Sequence, residues 1–253
     1  MTLRVGSFNV RHAALDDDER WERYRRDAVA GAIRVYRPDV VGVQEAGPEQ
    51  LASIAEPTPG YEWVGAGERA GEYNPIGYRP DRIALETQNV FWLAETPDEP
   101  TAGWDAAFPR VTTVARFRDR QTDDRFALFN THFDHQGETA GCESARLLRA
   151  RVADESVPAV LVGDLNCTPD GDPYRLLTET DGPLRDARRV SARGHHGPDV
   201  TFTGYGPLDD GRRLDYVLVT ESIEVVQHAV GADVDGEGRF PSDHLPLVAD
   251  LRP

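Results

Sequence analysis

The chain has 253 residues, enough for one large domain or two small ones, and 39% of them are hydrophobic, which is enough for a packed core. No run approaches the ~18 consecutive apolar residues of a membrane span, and the start shows no secretory-signal pattern. The two cysteines, Cys142 and Cys167, are too few for a disulfide framework or a thiolate zinc site, so both are expected to be reduced packing residues. We expect one cytoplasmic domain over residues 1–253.

The net charge is the unusual feature of the composition. It is −16 at pH 7, all 28 basic residues are arginines, and the acidic residues are spread along the whole chain. Such a surface is typical of a salt-rich cytoplasm, where ions screen the self-repulsion. A GC-rich genome would explain the missing lysine but not the excess of acids. Because nucleic-acid binders usually carry a basic face, the acidity also weighs against a processive DNA or RNA binder.

Hydrophobic periodicity predicts strands and helices along the whole chain. A strand over 3–10 is followed by a helix over about 21–36, which Pro38 ends, and by a short buried strand over 39–43. Further strands are predicted at 61–65, 76–79, 83–93, 112–118 and 125–130, then a helix at 138–154, then strands at 159–162, 215–219, 225–231 and 245–251. Mixed sheets covered by helices, in the α/β or α+β class, are therefore expected.

Polar residues of a few kinds recur where the predicted strands end. They are Asn9, Gln44, Glu45, Asn130, Thr131, His132, Asp164, Asn166, Asp215, Ser242, Asp243 and His244. Any one of them could be a helix cap or a turn residue. Six such groups at strand ends indicate a shared site, because the strand ends of an α/β sheet are where a site gathers.

The residue types suit metal-dependent hydrolysis of a phosphate ester. Carboxylate and amide oxygens are the ligands that Mg2+ prefers, and the candidates are Glu45, Asp243 and Asn9. Hydrolysis also needs a water held in line and stabilisation of charge on the phosphoryl oxygens. The candidates for this task are His132, His244, Asn166 and Arg110. A structural zinc site, a Gly-x-Ser-x-Gly hydrolase and a P-loop each lack their sequence pattern here.

Six segments in chain order resemble the motifs of the endonuclease/exonuclease/phosphatase superfamily. They are 7–11 (SFNVR), 43–45 (VQE), 130–135 (NTHFDH), 163–166 (GDLN), 213–217 (RLDYV) and 242–246 (SDHLP). The resemblance spans essentially the whole chain. It implies a four-layer sandwich of two packed mixed β-sheets flanked by helices, with the site at one edge and Mg2+, or alternatively Mn2+, as cofactor.

The resemblance also implies roles for these positions. Glu45 would hold the metal, Asn9 would ligate or orient it, and Asp243 would be a further carboxylate on the metal side. Asp164 and Asn166 would bind and align the attacking water.

Two histidines complete the implied catalytic set. His244, polarised by Asp215, would be a second acid/base or phosphate-contacting group. His132 would donate a hydrogen bond to the phosphoryl oxygen or the leaving group. Whether Asp164 or the Asp215–His244 pair removes the proton of the water stays open.

Substrate contacts are implied at further positions. Tyr73 and Asn74 lie where many members place a substrate-facing Tyr or Asn, with core or turn packing as the alternative. Arg110 is similar to an arginine that small bacterial and archaeal members offer to the phosphate, and a surface arginine is the alternative. His135 could reach the site from the loop of His132, whereas the pair at 195–196 is expected on an exposed glycine-rich loop.

The substrate class stays open at this point. A small phosphorylated metabolite is favoured over DNA because basic DNA-gripping loops are absent from the sequence, and RNA 3′-end trimming is a further option. Neither a membrane nor an obligate protein partner is expected. The alternative from a different class is a catalytically silent binding module on the same fold, which loss of Glu45, Asp164, Asn166 or His244 would have favoured.

Overall fold

The computed structural model describes residues 2–16, 19–65, 73–179 and 182–253. The strands, in chain order, are β1 Leu3–Asn9, β2 Val40–Gln44, β3 Glu62–Val64, β4 Ile76–Tyr78, β5 Ile83–Trp92, β6 Val111–Asp119, β7 Arg125–His132, β8 Ala159–Asp164, β9 Leu184–Asp186, β10 His195–His196, β11 Asp215–Thr220, β12 Glu224–Val230 and β13 Leu247–Arg252. The helices are α1 Arg26–Tyr36, α2 Pro48–Ala55, α3 Glu138–Ala153, α4 Asp172–Thr178 and α5 Ala187–Val190.

The strands form two mixed sheets. The first sheet has seven strands in the order β10-β12-β13-β1-β2-β4-β3, and the second has six in the order β5-β6-β7-β8-β11-β9. Each sheet contains a central parallel pair, β1 with β2 and β7 with β8, flanked by antiparallel neighbours. The carboxyl ends of the two strands in each parallel pair therefore lie at the same edge of their sheet.

The main hydrophobic core lies between the sheets. It combines side chains of the first sheet, such as Val5 and Leu251, with side chains of the second, such as Phe126 and Val160. Residues of α1 and α2 pack on the outer face of the first sheet, and residues of α3 and α4 pack on that of the second. The result is the predicted sandwich of two sheets flanked by helices, because each sheet has one face on the core and one face under helices.

Several predicted elements have different bounds in the structure. The helix predicted over 21–36 starts as a π-helical turn over Trp21–Arg25, and the strand predicted over 245–251 begins only at Leu247. The helices α2 and α4 were not predicted. At eight and seven residues they contain only two turns each, so their periodicity is too short to read.

The histidine pair at 195–196 corrects a prediction. These residues form the short strand β10 beside β12, and only His196 is exposed as expected. His195 is half-buried because its ring packs against the buried His228, with 5.1 Å between the ring centroids. Cys142 and Cys167 are free and half-buried. Of the helices described, none has both the length and the apolar character needed to cross a membrane.

Candidate active site

Strand register brings the predicted site residues together at the carboxyl ends of the parallel strands. In the second sheet His132 pairs with Asp164 across β7 and β8, and Asp164 pairs with Asp215 across β8 and β11. In the first sheet Asn9 is the last residue of β1 and pairs with Gln44, the last residue of β2. Glu45 follows Gln44 directly. The two groups face each other because the sheets are stacked.

Asn9 joins the two sheets. Its Nδ2 donates to Oε1 of Glu45 at 2.9 Å and to Oδ2 of Asp164 at 3.0 Å. The second oxygen of Glu45 accepts from the backbone N–H of His12 at 2.8 Å. Burial alone would raise the pKa of Glu45, but the nearby His132 and these hydrogen bonds lower it to about 2. Glu45 is thus a half-buried carboxylate that stays ionised.

His244 and Asp215 form a buried pair. Nδ1 of His244 donates to Oδ2 of Asp215 at 2.8 Å, and the same oxygen accepts from the hydroxyl of Thr201 at 2.7 Å. The other ring nitrogen, Nε2, faces Oδ2 of Asp164 at 3.6 Å. Burial opposes protonation of His244, but the charges of Asp215 and Asp164 outweigh it and raise the pKa to about 10.

A second histidine approaches Asp164 from the opposite side. Nε2 of His132 lies 3.5 Å from Oδ2 of Asp164 and 2.9 Å from Nδ2 of Asn166. The backbone N–H of Asn166 donates to Oδ1 of Asp164 at 2.8 Å, and its amide also donates to the carbonyl of Phe133. Asp164 is therefore the central acceptor of the site, with two imidazoles near its Oδ2.

Arg110 lies next to His132. Its Nη1 is 3.2 Å from Nδ1 of His132, and its Nη2 is 3.2 Å from Nδ1 of His135. The guanidinium also lies 3.6 Å from Asp134. His135 is exposed, and Phe108 stacks on it with 6.1 Å between the ring centroids. Arg110 thus connects the predicted catalytic residues to an aromatic surface at the rim.

Three candidate residues have strained backbones. Arg11, Glu45 and Asn166 have φ of 53°, 65° and 48°, in the left-handed region that residues with a Cβ rarely adopt. Gly163, directly before Asp164, has φ of 144°, and a Cβ there would lie 1.9 Å from the carbonyl oxygen of Thr131. Such conformations concentrate at functional sites, where the surrounding structure has to maintain them.

The structure places the remaining predicted residues as follows. Asn74 is fully buried, and its amide donates to the carbonyl of Val111 at 2.7 Å, which is a packing contact. Tyr73 is half-buried. Asp243 is buried, and its Oδ2 accepts from Nη1 of Arg11 at 2.7 Å. The substrate contacts predicted for Tyr73 and Asn74 stay predictions.

Two residues that contact the site were not predicted from the sequence. Thr201 accepts from the backbone N–H groups of Leu214 and Asp215 and donates to the Asp215 carboxylate, so it fixes this carboxylate in place. A threonine in a loop gives no signal of this role. Arg11 lies inside the first motif, but no role was assigned to it, because its contact with Asp243 spans 232 positions of sequence.

The donor set fits a hard divalent cation. Ligand atoms of Asp164, Asp215 and His244 lie within 4.8 Å of one another, and Glu45 lies across the Asn9 amide from Asp164. Oδ1 of Asp215 is buried and has no hydrogen-bond partner among the described residues. Several carboxylates gathered in one buried place require a compensating positive charge.

Known proteins resemble this chain over nearly its whole length. The profile of the Endonuclease/Exonuclease/phosphatase family matches residues 6–244. The chain is similar to an endonuclease/exonuclease/phosphatase from Bacteroides vulgatus, with 35% identity, a TM-score of 0.92 and coverage of 100% of this chain and 99% of that one. It is also similar to a mannosyl-6-phosphatase from Bacteroides thetaiotaomicron, with 30% identity, a TM-score of 0.89 and coverage of 99% and 100%. An uncharacterized protein of Acanthamoeba polyphaga mimivirus is 27% identical over 269 residues, 97% of each chain.

Proposed function

The chain belongs to the endonuclease/exonuclease/phosphatase family of metal-dependent phosphoester hydrolases, and we propose that it is a Mg2+-dependent phosphatase acting on a small phosphorylated metabolite. The observation that carries the proposed reaction is the position of Asp164, whose Oδ2 accepts from Asn9 and faces both imidazoles. A carboxylate with such neighbours is suited to hold and orient a water for attack on phosphorus.

Different side chains would have different tasks in the reaction. Glu45 would hold the metal, which when bound would withdraw charge from the phosphoryl oxygens. Asn9 would orient the Glu45 carboxylate through its Nδ2. Asp164 and the amide of Asn166 would align the attacking water in line with the leaving group.

The two histidines would act on the phosphoryl group and on protons. Nε2 of His244 faces the place of the reaction, while Nδ1 is anchored on Asp215, so the ring can transfer a proton without turning. His132 would donate to a phosphoryl oxygen or to the leaving group.

The group of Asp164, Asp215 and His244 is a second possible metal position. In this group Nδ1 of His244 already donates a hydrogen bond to Oδ2 of Asp215, and the same oxygen also accepts from the hydroxyl of Thr201. Glu45 keeps its charge and lies at the end of β2. We therefore place the metal at Glu45 and assign the Asp215–His244 pair to proton transfer.

Charge and the rim of the site support a small substrate. A net charge of −16 repels a polyanion such as DNA. Beside Arg110, the stacked rings of Phe108 and His135 offer a flat apolar surface, with Phe108 53% exposed. Such a surface suits one face of a sugar ring. The similar mannosyl-6-phosphatase makes hexose phosphates the first substrates to test.

The test is a substrate panel assayed in high KCl with Mg2+. It contains mannose 6-phosphate and other sugar phosphates, p-nitrophenyl phosphate, bis-p-nitrophenyl phosphate and plasmid DNA. The matched control is the Asp164→Asn protein, purified in parallel to expose contaminating phosphatases. We expect phosphate release from sugar monoesters that EDTA abolishes. Cleavage of the diester or the plasmid, with no release from monoesters, would instead identify a nuclease-type phosphodiesterase.

A further inference from the structure

Asp243 is a buried carboxylate paired with Arg11. Its Oδ2 accepts from Nη1 of Arg11 at 2.7 Å, and its Oδ1 lies 3.2 Å from the hydroxyl of Ser242, which also donates to the carbonyl of Asn9 at 2.8 Å. Asp243 precedes His244 directly, so it lies at the edge of the acidic group of the site. A divalent cation placed on the same carboxylate would meet the positive charge of the guanidinium at close range.

The guanidinium of Arg11 is held in this position by several contacts. Its Nη2 donates to the carbonyl of Leu15 at 3.0 Å, its Nε lies 3.5 Å from Asp16, and the ring of Tyr205 lies 5.8 Å from its central carbon. Contacts with Asp243, Leu15, Asp16 and Tyr205 together hold the planar group in place. A guanidinium is always charged and matches carboxylates geometrically.

The backbone of Arg11 is also part of the site. Its N–H donates to Oδ1 of Asn9 at 2.9 Å, which turns the amide so that Nδ2 points at Glu45 and Asp164. The strained φ of 53° accompanies this arrangement. One residue thus orients Asn9 through its main chain and neutralises Asp243 through its side chain.

We infer that the Arg11 guanidinium takes the place of a metal ion at Asp243, so that no divalent cation binds beside this carboxylate. The inference rests on the proposed metal site and goes beyond it, because it makes Asp243 the partner of a built-in cation and not a metal ligand. Arg11 is accordingly a positioning residue, since it acts through Asp243 and Asn9.

Metal binding can be measured without any substrate. Binding of Mn2+ to the purified chain in high KCl, followed by the EPR signal of free Mn2+, gives the stoichiometry. We expect one tight equivalent, weakened on the order of tenfold or more by Glu45→Gln. Asp243→Asn should leave that equivalent in place, because its carboxylate is already bonded to Arg11.

Removing the positive charge of Arg11 should allow a metal ion to bind beside Asp243. Arg11→Asp is expected to bind a second Mn2+ equivalent, which the double change Arg11→Asp with Asp243→Asn should lose again. Arg11→Lys keeps a positive charge there and should stay at one equivalent. Arg20→Gln is the matched control, because Arg20 stacks on the same Tyr205 ring and, among the described residues, makes no hydrogen bond or ion pair with Asp243.

The outcomes separate this inference from the proposed function. A second equivalent on the parental chain that Asp243→Asn removes, or a loss with Asp243→Asn as large as with Glu45→Gln, would overturn the role of Arg11 and leave the phosphatase proposal standing. No Mn2+ binding at all would overturn both. If Arg11→Asp unfolds in the circular dichroism spectrum, the Asp243→Asn and Arg11→Lys proteins still decide the question.

Discussion

Asn9 and Asp164 are the last residues of β1 and β8, which lie in different sheets, and Nδ2 of Asn9 donates to Oδ2 of Asp164 over 3.0 Å. This bond joins the two halves of the candidate site. Glu45 comes with the first sheet, while His132 and Asp215 come with the second. The site is therefore complete only when the sheets are packed face to face, so its geometry depends on the core between them.

Loss of the Asp164 carboxylate should abolish most of the activity. Asp164→Asn keeps the shape and an oxygen for Asn9, but removes the charge that faces the two histidines. We expect kcat on the best monoester to fall by ~10²–10⁴-fold, the range of a single acid/base group. The fold should survive with a lower melting temperature, because the backbone N–H of Asn166 loses its acceptor Oδ1. Asp170→Asn, an exposed change further along the same loop, is the control and should be silent. Near-parental turnover of Asp164→Asn would show that the site is assigned wrongly.

The sequence was sufficient for most of the strands and for the motifs because their signals are local. Alternating apolar residues predict β1, and a polar group directly after an apolar run marks its end, as at Glu45. The contact between Arg11 and Asp243 has no local signal, because it depends on how the two ends of the chain meet. The same holds for Thr201, whose position follows from backbone bonds to Leu214 and Asp215.

The Asp215–His244 pair should behave as one unit. His244→Ala removes the ring that faces Asp164, and Asp215→Asn removes only the partner that anchors it. We expect the double variant to be no slower than His244→Ala alone, because Asp215 acts through the histidine. The measurement is kcat of the parent, both single variants and the double variant. Effects that multiply would mean that Asp215 has an independent role, such as holding a metal.

Phe108 should affect substrate binding more than the chemical step. Its ring is 53% exposed and stacks on His135 beside Arg110. If the ring packs on a sugar, Phe108→Ala should cost about 1 kcal/mol of binding, or roughly a fivefold rise in KM, with kcat nearly unchanged. Val35→Ala, another exposed apolar residue, is the control and should change neither constant. A fall in kcat at constant KM would contradict this role.

Salt should stabilise the folded chain. There are 44 acidic residues against 28 arginines, so 16 acids remain in excess even if every arginine pairs with one. At 1 M salt the Debye length is only ~3 Å, and the repulsion among these charges is screened. We expect the melting temperature to rise from 50 mM to 2 M KCl and to rise less with sucrose at equal osmolality, since sucrose does not screen charge. A melting temperature that does not change with KCl would contradict the hypothesis that the surface is adapted to high salt.

A buried histidine outside the site, His228, should make stability depend on pH. Nε2 of His195 donates to the carbonyl of Pro198 at 2.9 Å, since a carbonyl can only accept. In the neutral ring Nδ1 of His195 is then the acceptor for Nδ1–H of His228 at 3.0 Å. This leaves Nε2 of His228 buried without a partner among the described residues. Protonation of His228 would therefore place an unpaired charge in the interior.

Burial lowers the pKa of His228 to about 3, below the 6.5 of a free histidine. Between these values the unfolded chain binds the proton and the folded chain does not, so folding loses stability as the pH falls below 6.5. At pH 5 the loss amounts to at most ~2 kcal/mol for this one group. Urea unfolding at pH 7.5 and pH 5 should show a smaller drop in the free energy of unfolding for His228→Gln than for the parent. His196→Gln, on the exposed neighbour, should keep the parental drop, and an equal drop in all three proteins would mean that His228 is not the group responsible.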